Sequence, residues 1–419
     1  MHIELRGRIL RAGLIRVIQR AGRKILVIDQ AEALARILAR VRARPARTVP
    51  LEESLGCFAA RDVSAGMPLP PFDNSAMDGY AVVARSCLVG GRLRVTGEQP
   101  AGADRSLELR DGDAIRIFTG GPIPRGSDAV IMQEDVDRSA DEIIVRSEVA
   151  AGDFVRRRGS DVAAGQKILS AGERIRPETI ALLAGQGIGS LEVGGEVTAA
   201  IISTGDELVA PGVPLRPGQI YDANTALIRG MLESLGVRVR SVAHCPDRED
   251  AIEAAARAGA TCDVMIISGG VSVGARDLVK PALVSAGAQL DLWRVSVKPG
   301  KPFLFGHADG CSIFGLPGNP VSAFVTLLLF VRPAVLKLMG ASDDALGLAS
   351  WIVMLASGVH NDSERPHYMR GSLKDRKFLP IGRQESHALF GLSRSNALLL
   401  VQPGQQIAAG ETVTVFTWN

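Results

Sequence analysis

The 419-residue sequence lacks the cysteine and histidine patterns of a disulfide-rich or zinc-binding protein. Its five cysteines lie far apart, are odd in number and form no CxxC pair. This argues against a disulfide framework and predicts a reducing, cytoplasmic location. The six histidines show neither HxxxH nor HExxH spacing, so no zinc site is predicted.

The chain also has few aromatic residues and little excess charge. Aromatics make up 4% of it and the formal net charge is +3. Nucleic-acid binding usually relies on a basic surface and on aromatic side chains for stacking, so no nucleic-acid partner is predicted. No run reaches the ~18 apolar residues of a membrane span. The longest, 321–331, is interrupted by Ser322 and Thr326 and is followed by Arg332-Pro333. We predict a buried helix there, and no membrane association.

The first 26 residues are strongly basic. Their basic residues are Arg6, Arg8, Arg11, Arg16, Arg20, Arg23 and Lys24, against the single acidic residue Glu4. An apolar signal-peptide core with a cleavage site is not convincing here. A transit peptide is the alternative, which the absence of Ser and Thr disfavours. We predict an extension that is dispensable or disordered, or that precedes the native start.

The length predicts roughly two to four domains. A capping box at Asp29 and Glu32 predicts a first helix, and Asp222 is predicted to cap a later helix. Residues 65–165 carry short β-type runs separated by Gly, Pro and Asp. From residue 197, apolar strands alternate with helices, which predicts right-handed crossovers and a mostly parallel sheet. The last 75 residues or so return to β patterns and predict a small barrel or sandwich.

The segment 71–80, PFDNSAMDGY, is the most unusual in the chain. It combines turn-forming residues with two aspartates, Asp73 and Asp78, and has few apolar side chains. It predicts an ordered loop that presents carboxylates. The alternative is a surface turn in which Asp73 and Asn74 cap their own backbone. The arginine run 156–158, followed by Gly and Asp161, is either a solvated face or an anion-facing loop.

Four predicted strands end in Gly- or Pro-rich polar loops. Their sequences are STGDE at 203–207, SGGVSVG at 268–274, KPGKP at 298–302 and LPGNP at 316–320. Ligands bind outside the carboxyl ends of such strands, so we expect all four loops along one edge of the sheet. Gly269-Gly270 would leave backbone N–H groups free for an anion, and Asn319-Pro320 suits the start of a helix. Lys298 and Lys301 are candidate phosphate or oxyanion binders, or else two solvent lysines on a turn.

Glu207 and Asp277 are predicted at or just beyond strand ends of the same sheet. Carboxylates facing an anion site favour a bridging divalent cation, and Mg²⁺ is the usual choice; the alternative is a capping role for each. No nucleophile–base pair is evident, because Ser203 has no histidine near it in sequence and Cys245 lacks a basic context. This argues against triad hydrolase chemistry and favours positioning and metal-assisted electrostatics on a phosphorylated ligand.

Several long motifs, in this order, closely resemble the MoeA/gephyrin family of molybdopterin molybdenumtransferases. The likeness runs from about residue 28 to the C-terminus. The motifs lie at 72–80, 119–120, 156–159, 203–208, 268–274, 298–302 and 316–320.

The resemblance implies a multidomain α/β plus β fold. Its parts would be the extension 1–26, a dimerisation segment split between 27–64 and 166–196, an inserted β-rich domain at 65–165, a three-layer α/β molybdopterin-binding domain at 197–340 with a mostly parallel sheet, and a C-terminal β-barrel domain at 345–419.

The resemblance also implies a reaction. Molybdate would be inserted into adenylylated molybdopterin, with release of AMP and help from Mg²⁺, by a homodimer. Other molybdenum-cofactor biosynthesis proteins and apo-molybdoenzymes would be further partners.

The matching positions carry the family's implied roles. The implied catalytic residues are Asp78, Thr119, Asp161, Glu207 and Asp277, with Asp78 and Thr119 supplied by the second subunit and Glu207 and Asp277 holding Mg²⁺. The implied contacts to pterin, phosphate and AMP are Ser203, Thr204, Gly205, Asp206, Gly269, Gly270, Ser272, Pro317, Asn319 and Pro320. The implied molybdate ligands are Lys298, Lys301, Arg370 and Ser386. Arg294 stands where the family pattern has lysine, which keeps the charge and changes the donor geometry.

Two alternatives remain at this stage. The α/β domain alone would suit a molybdopterin adenylyltransferase, but the 71–80 motif and the C-terminal domain argue against it. A non-catalytic scaffold of the same fold is the other, and the intact carboxylates and lysines argue against that.

Overall fold

The computed structural model describes residues 16–20, 23–271 and 278–418, with side chains from Ile28 onward except at 292 and 293. These residues form two compact units. One unit comprises the described residues up to Arg61, Ala171–Arg176 and the described residues from Ser190 onward, and the other comprises Asp62–Ser170 and Pro177–Gly189.

The smaller unit is built on a six-stranded sheet, so the β-rich character predicted for this region is confirmed. In spatial order its strands are Val136–Ser139, Glu142–Val145, Arg92–Gln99, Asp113–Ile117, Gly79–Val82 and Ala129–Met132. Alternate residues of one strand enter two different apolar clusters, Tyr80 and Val82 in one and Ala81 in the other. This is the period of two that a strand buried on both faces requires. Two short antiparallel pairs and one helix complete the unit: Val63–Ser64 with Lys167–Leu169, Asn74–Ser75 with Val155–Arg156, and Pro177–Gly185.

The larger unit holds a second six-stranded sheet. In spatial order its strands are Arg238–Cys245, Thr198–Thr204, Val264–Ser268, Cys311–Leu316, Pro302–Ala308 and Gln289–Arg294. The first four strands are parallel to one another. Gln289–Arg294 is antiparallel to its neighbour Pro302–Ala308, which is itself antiparallel to Cys311–Leu316. Gln289–Arg294 therefore points the same way as the parallel set, and four polar loops leave the sheet at one edge as predicted.

Helices cover both faces of this sheet, which gives the predicted three layers. Along strand Thr198–Thr204, Ala199 and Ile201 enter one core cluster and Ala200 and Ile202 enter the other. A strand that is apolar on both faces is typical of a sheet buried between two helical layers. The helices of the larger unit are Gln30–Arg40, Ala223–Ser234, Glu249–Gly259, Val279–Ser285, Pro320–Thr326, Arg332–Leu338 and Leu389–Ser393.

Two predicted helix caps are confirmed. Asp29 accepts a hydrogen bond from the backbone N–H of Glu32 at 2.8 Å. Asp222 accepts one from the backbone N–H of Thr225 at 3.0 Å and thereby caps helix Ala223–Ser234. Each carboxylate satisfies a donor that the first helical turn leaves without a partner.

The apolar run 321–331 forms the predicted buried helix, but that helix does not end at Arg332-Pro333. It continues to Leu338 through a π-helical turn at Leu327–Val331. The wider turn ends two residues before Pro333, whose missing N–H would otherwise break the regular bonding pattern. The helix Pro320–Leu338 has 19 residues and is apolar enough to cross a membrane by length and composition, yet 89% of its apolar window is buried inside the protein.

Strand Pro302–Ala308 is not predicted by the sequence pattern. Pro302, Gly306 and His307 interrupt its apolar residues and hide the strand period. Phe303 and Phe305 nevertheless face one core and Leu304 faces the other.

The C-terminal region is a closed barrel, so the predicted β-barrel is confirmed. Its strands, in spatial order, are Ala349–Leu355, Lys377–Pro380, His367–Lys374, Ala397–Val401 and Thr412–Thr417.

Four short strand pairs of the larger unit lie outside the large sheet and the barrel. Three are antiparallel: Arg16–Arg20 with Arg23–Val27, Arg47–Pro50 with Ser190–Val193, and Val359–His360 with Gln406–Ile407. The fourth, Leu208–Val209 with Ile220–Tyr221, is parallel.

Candidate functional site

A glycine cradle lies at the carboxyl edge of the large sheet. Gly269 and Gly270 follow strand Val264–Ser268 with φ of 94° and 64°. A Cβ on Gly269 would lie 2.6 Å from the carbonyl oxygen of Thr204, and one on Gly270 would lie 2.5 Å from Cγ2 of Val279. Both positions therefore require glycine. The Oγ1 of Thr204 is buried against them and has no hydrogen-bond partner among the described residues, which fits a ligand that supplies one.

The loop after strand Thr198–Thr204 presents one exposed carboxylate. Glu207 is exposed, and its Oε2 lies 2.6 Å from where a Cβ on Gly205 would be, so the carboxylate folds over that glycine. The neighbouring Asp206 accepts a hydrogen bond from the backbone N–H of Asp247 at 3.0 Å. Asp206 thus fastens the loop, whereas Glu207 is available to a ligand.

Asn224 joins two of the strand-end loops and is a site residue that the sequence reasoning missed. Its Nδ2 donates to Oγ of Ser268 and to the carbonyl oxygen of Gly318, each at 2.8 Å. Its buried Oδ1 has no partner in the described part of the chain. A Cβ on Gly318 would lie only 3.9 Å from Cα of Gly269, so the two loops are adjacent. The sequence showed Asn224 only as an early helix residue.

Asn319 lies at the start of the long helix, with Pro320 as the first helical residue, as the sequence predicts. Its side chain does not cap the helix. It donates instead from Nδ2 to Oγ of Ser386 at 2.9 Å, while the backbone N–H of Val321 donates to the carbonyl oxygen of Ser386 at 3.0 Å. The turn that begins with the buried Pro317 is therefore tied to the loop 383–387.

A pocket of about 850 Å³ opens beside this turn. Cations predominate among its charged side chains, and three of the four predicted molybdate ligands line it. The lining residues are Lys298, Pro299, Gly300, Lys301, Pro302, Asn319, Ser322, Arg365, His367, Arg383, Gln384, Glu385, Ser386 and His387. Tetrahedral oxyanions are bound by such sets of cations and hydroxyls.

Lys298 and Lys301 differ in how they are held. Lys298 is bound to the barrel through its backbone: its N–H donates to the carbonyl oxygen of Pro366, and its carbonyl oxygen accepts from the N–H of Tyr368, both at 2.8 Å. Its Nζ lies 3.7 Å from the exposed Asp362. Lys301 is exposed at the pocket rim. Among the residues that the structure describes, neither lysine has an ion-pair partner closer than this 3.7 Å, so both can turn to an anion.

Arg370 lies behind the pocket wall rather than in it. Its side chain is 1% exposed, and its guanidinium donates from Nη2 to the carbonyl oxygen of Arg383. Its Nε lacks a partner among the described residues. Burial lowers the pKa of Arg370, and nearby Glu385 opposes that shift. Arg370 thus holds the backbone of Arg383, which the sequence reasoning did not single out and which does line the pocket.

Ser203 has no histidine near it in sequence, but it has one close by in the folded protein. Its Oγ lies 3.2 Å from Nδ1 of His244, because the two residues are register partners on neighbouring parallel strands. Sequence distance concealed this pair. Ser203 is only 1% exposed, however, so it is not placed to attack a substrate. Burial raises the pKa of Cys245, which also disfavours a nucleophilic role.

Two predicted site residues, Ser272 and Asp277, lie outside the described residues. Within 16–20, 23–271 and 278–418, no group of three or more His, Cys, Asp or Glu side chains could hold a metal ion by itself. Mg²⁺ is also bound by one or two carboxylates together with substrate phosphates. The exposed carboxylate of Glu207 fits this kind of binding.

In the smaller unit, Asp78 is oriented by Thr119. Its Oδ1 accepts from the backbone N–H of Thr119 at 2.7 Å and from the Oγ1 hydroxyl at 2.8 Å. The backbone hydrogen bond lowers the pKa of Asp78, and the hydroxyl adds to that effect. Asp78 is therefore an ionised acceptor at neutral pH. The two residues that the sequence motifs singled out 41 positions apart are brought together.

Asp73 shapes the same loop, but its contacts reach far along the chain. Its Oδ1 accepts from the backbone N–H of Arg158 at 2.7 Å, and its Oδ2 accepts from Nη1 of Arg157 at 2.8 Å. The first of these bonds is the main cause of its lowered pKa. The arginine run therefore holds segment 71–80 in place through these two bonds, which we call the Asp73 clamp.

Asp161, the other predicted site residue of this region, is exposed, and its backbone N–H donates to the carbonyl oxygen of Leu69 at 3.0 Å.

The Asp73 clamp makes a prediction for proteolysis. Replacing Asp73 with alanine removes both bonds, each with a stabilisation of about 1 kcal/mol, and should make trypsin cut after Arg157 or Arg158 several times faster. Asp137→Ala is the matched control, because it releases Arg146 from an exposed 2.7 Å ion pair in the same unit. Equal cleavage rates at 157–158 in the two variants would show that Asp73 does not hold the loop.

Three family models match the chain. The MoeA N-terminal region (domain I and II) matches residues 28–187, the probable molybdopterin binding domain matches 200–337, and the MoeA C-terminal region (domain IV) matches 353–418.

Two bacterial relatives that match most of this chain are molybdopterin molybdenumtransferases. The molybdopterin molybdenumtransferase of Haemophilus influenzae is 38% identical over 88% of this chain and 93% of its own. Molybdopterin molybdenumtransferase 2 of Mycobacterium tuberculosis is 35% identical over 88% of this chain and 94% of its own.

A solved structure shares the fold. The molybdopterin biosynthesis MoeA protein of Pyrococcus horikoshii OT3 superposes with a TM-score of 0.80 at 29% identity, covering 94% of this chain and 100% of its own. With the family models, the relatives and the strand-end motifs in agreement, the chain belongs to the molybdopterin molybdenumtransferase family, the MoeA enzymes of molybdenum cofactor biosynthesis.

Proposed function

We propose that this enzyme inserts molybdate into adenylylated molybdopterin and releases AMP, with Mg²⁺ as the assisting ion. One observation carries the proposal: the glycine cradle and the cationic pocket meet at a single turn. Gly318 lies against Gly269 of the cradle, and the next residue, Asn319, lines the pocket. A phosphate-bearing pterin in the cradle and a tetrahedral oxyanion in the pocket would therefore be neighbours.

The cradle suits the phosphate part of the pterin substrate. The backbone N–H of Gly270 and the buried Oγ1 of Thr204 would hold phosphate oxygens. The N–H of Gly269, which the sequence predicted to be free for an anion, donates instead to the carbonyl oxygen of Leu316 at 3.2 Å. The Oδ1 of Asn224, which has no partner in the described part of the chain, would accept a hydrogen bond from the ligand. By their motif positions Ser203, Asp206, Ser272 and Pro317 would complete this binding region.

The pocket would bind molybdate through charge. Lys298, Lys301, Arg365 and Arg383 outnumber the single carboxylate Glu385 in its lining, and Ser386 adds a hydroxyl. Arg370 would support them from behind by holding the Arg383 backbone. Such binding would hold molybdate in place next to the pterin, and holding two reactants close together is how a positioning mechanism lowers the barrier.

Glu207, with Asp277, would hold Mg²⁺ near the phosphates. The ion would neutralise charge that develops on the departing AMP. Asp78, kept ionised by Thr119, would accept a hydrogen bond from the substrate, and Asp161 would line the same cleft. We propose that the partner subunit of a homodimer supplies Asp78 and Thr119, and that 27–64 and 166–196 form the dimer contact.

The proposed reaction consumes one water and releases another. One water cleaves the phosphoanhydride and gives AMP and molybdopterin. The two dithiol sulfurs then form two bonds to molybdenum, and one oxo oxygen leaves as water with the two thiol protons. We place the reaction in the cytoplasm, with other cofactor-assembly proteins upstream and apo-molybdoenzymes downstream.

AMP release that depends on molybdate and Mg²⁺ tests this function. Asp78→Ala and Glu207→Ala should each lower its rate by about 100-fold, because each removes a charged group from the reacting centre. Asp137→Ala, an exposed carboxylate of the smaller unit, is the control. If both site variants kept the wild-type rate, the site assignment would fail. Formation of adenylylated pterin from ATP without molybdate would instead favour an adenylyltransferase.

A further inference from the structure

His367 is the most deeply buried titratable side chain in the pocket lining. It begins barrel strand His367–Lys374 and is 3% exposed. Its neighbours in sequence fix its position, because the backbone of Lys298 bonds to Pro366 on one side and to Tyr368 on the other. The backbone on both sides of His367 is thus hydrogen-bonded to the loop that carries Lys298.

Neither ring nitrogen of His367 has a hydrogen-bond partner among the described residues. A buried polar group without a hydrogen-bond partner destabilises the folded state, because it has lost its bonds to water. A fold tolerates two such atoms on one ring most readily where a ligand supplies the missing partners. Because His367 lines the cationic pocket, that ligand would be the oxyanion.

The surroundings of His367 are strongly cationic. Lys298 on the lysine loop, Arg365 just before the strand and Arg370 on the strand itself all act on it, and Asp362 is the opposing carboxylate. Burial and these three cations lower the pKa of His367 to about 4, so the imidazole is neutral in the protein without ligand. A bound dianion would offset the cations and favour the protonated, doubly donating imidazolium.

We propose that His367 is an oxyanion-binding residue that takes up a proton when molybdate enters the pocket, so that molybdate binding is coupled to protonation. The proposal rests on molybdate being the pocket's ligand, as argued above. It assigns to this chain a binding residue that none of the motif positions identified.

The sign of the coupling follows from linkage. Binding that raises the pKa of a group draws in a proton at every pH between the free and bound values, and affinity then rises as pH falls. The limit is about tenfold per pH unit for one proton. We expect molybdate affinity to increase by about three- to tenfold between pH 7.5 and pH 6, a range in which molybdate itself remains a dianion.

Calorimetric titration of the full-length protein with sodium molybdate measures this directly. Titrations at pH 6 in buffers of different ionisation enthalpy give the number of protons taken up per molybdate. We expect close to one for the wild type, and close to zero for His367→Asn, with a flatter pH profile. His360→Asn, which removes an exposed histidine from the strand pair Val359–His360 with Gln406–Ile407 in the same C-terminal region, should match the wild type.

Three results would overturn the proposal. Molybdate could bind the wild type without proton uptake, or His367→Asn could keep the uptake. The uptake could also disappear in His387→Asn instead; His387 is the other pocket histidine and lies 3.3 Å from Glu385. The wild-type measurement stands even if His367→Asn folds poorly. Absence of any molybdate binding to the wild type would contradict the proposed function itself, which separates the two failures.

Discussion

The double variant Lys298→Ala/Lys301→Ala should lose molybdate binding by at least about 100-fold. A charge-assisted hydrogen bond contributes about 1.5–3 kcal/mol, so removing two from one anion exceeds the roughly 2.7 kcal/mol that a 100-fold change represents. Both lysines lie on one loop at the carboxyl edge of the large sheet and line the pocket. AMP release at saturating pterin should fall with it, whereas binding of the adenylylated pterin should change little.

Lys374→Ala/Lys377→Ala is the matched control for this loss of charge. Both lysines are exposed on the barrel and pair with each other in register across two strands. The control removes the same two charges, so a similar loss of molybdate binding in it would mean that overall charge, and not the pocket, attracts the anion. Equilibrium dialysis at fixed ionic strength separates the two cases.

Gly270→Ala should abolish most of the activity by closing the glycine cradle. The added methyl would lie 2.5 Å from Cγ2 of Val279 and 2.9 Å from Oγ1 of Thr204, at a backbone φ of +64°. The loop must move to relieve these contacts, and its N–H groups would move with it. Displacements of about 1 Å can cost about 100-fold in rate. We expect pterin binding and AMP release to fall by at least that factor.

Gly287→Ala separates the cradle effect from simple backbone strain. Gly287 also has a positive φ, +93°, but a Cβ there would meet nothing within 4 Å. It should cost about 1–2 kcal/mol in stability, with activity retained. If Gly270→Ala and Gly287→Ala had equal activity, the cradle would not be part of the site. Direct titration with the adenylylated pterin, alongside thermal unfolding, distinguishes the two effects.

Local sequence signals predicted the elements that depend on local physics. The caps at Asp29 and Asp222 use carboxylates within three residues of the N–H groups they satisfy. The alternation of strands and helices fixed the common direction of the loops. Where the pattern was interrupted, as in strand Pro302–Ala308, prediction failed, because burial against Phe314 and its neighbours outweighs the local irregularity.

Contacts between distant residues were beyond the reach of local patterns. Ser203 and His244 meet only because their strands pair in register, and Asn224 joins two loops that start from different strands. Arg370 looked like a direct anion ligand from its motif position, but its buried guanidinium holds the backbone of Arg383. Motifs identified the region, and tertiary packing decides which side chains reach the pocket.

The most direct measurement is a single-turnover reaction of the pure protein with adenylylated molybdopterin, Mg²⁺ and molybdate. AMP is quantified by chromatography, and molybdenum in the pterin product by elemental mass spectrometry. Our proposal predicts one AMP and one pterin-bound molybdenum per substrate, with neither formed at a comparable rate when molybdate is omitted. AMP release that leaves the pterin free of molybdenum, or that is indifferent to molybdate, would contradict it.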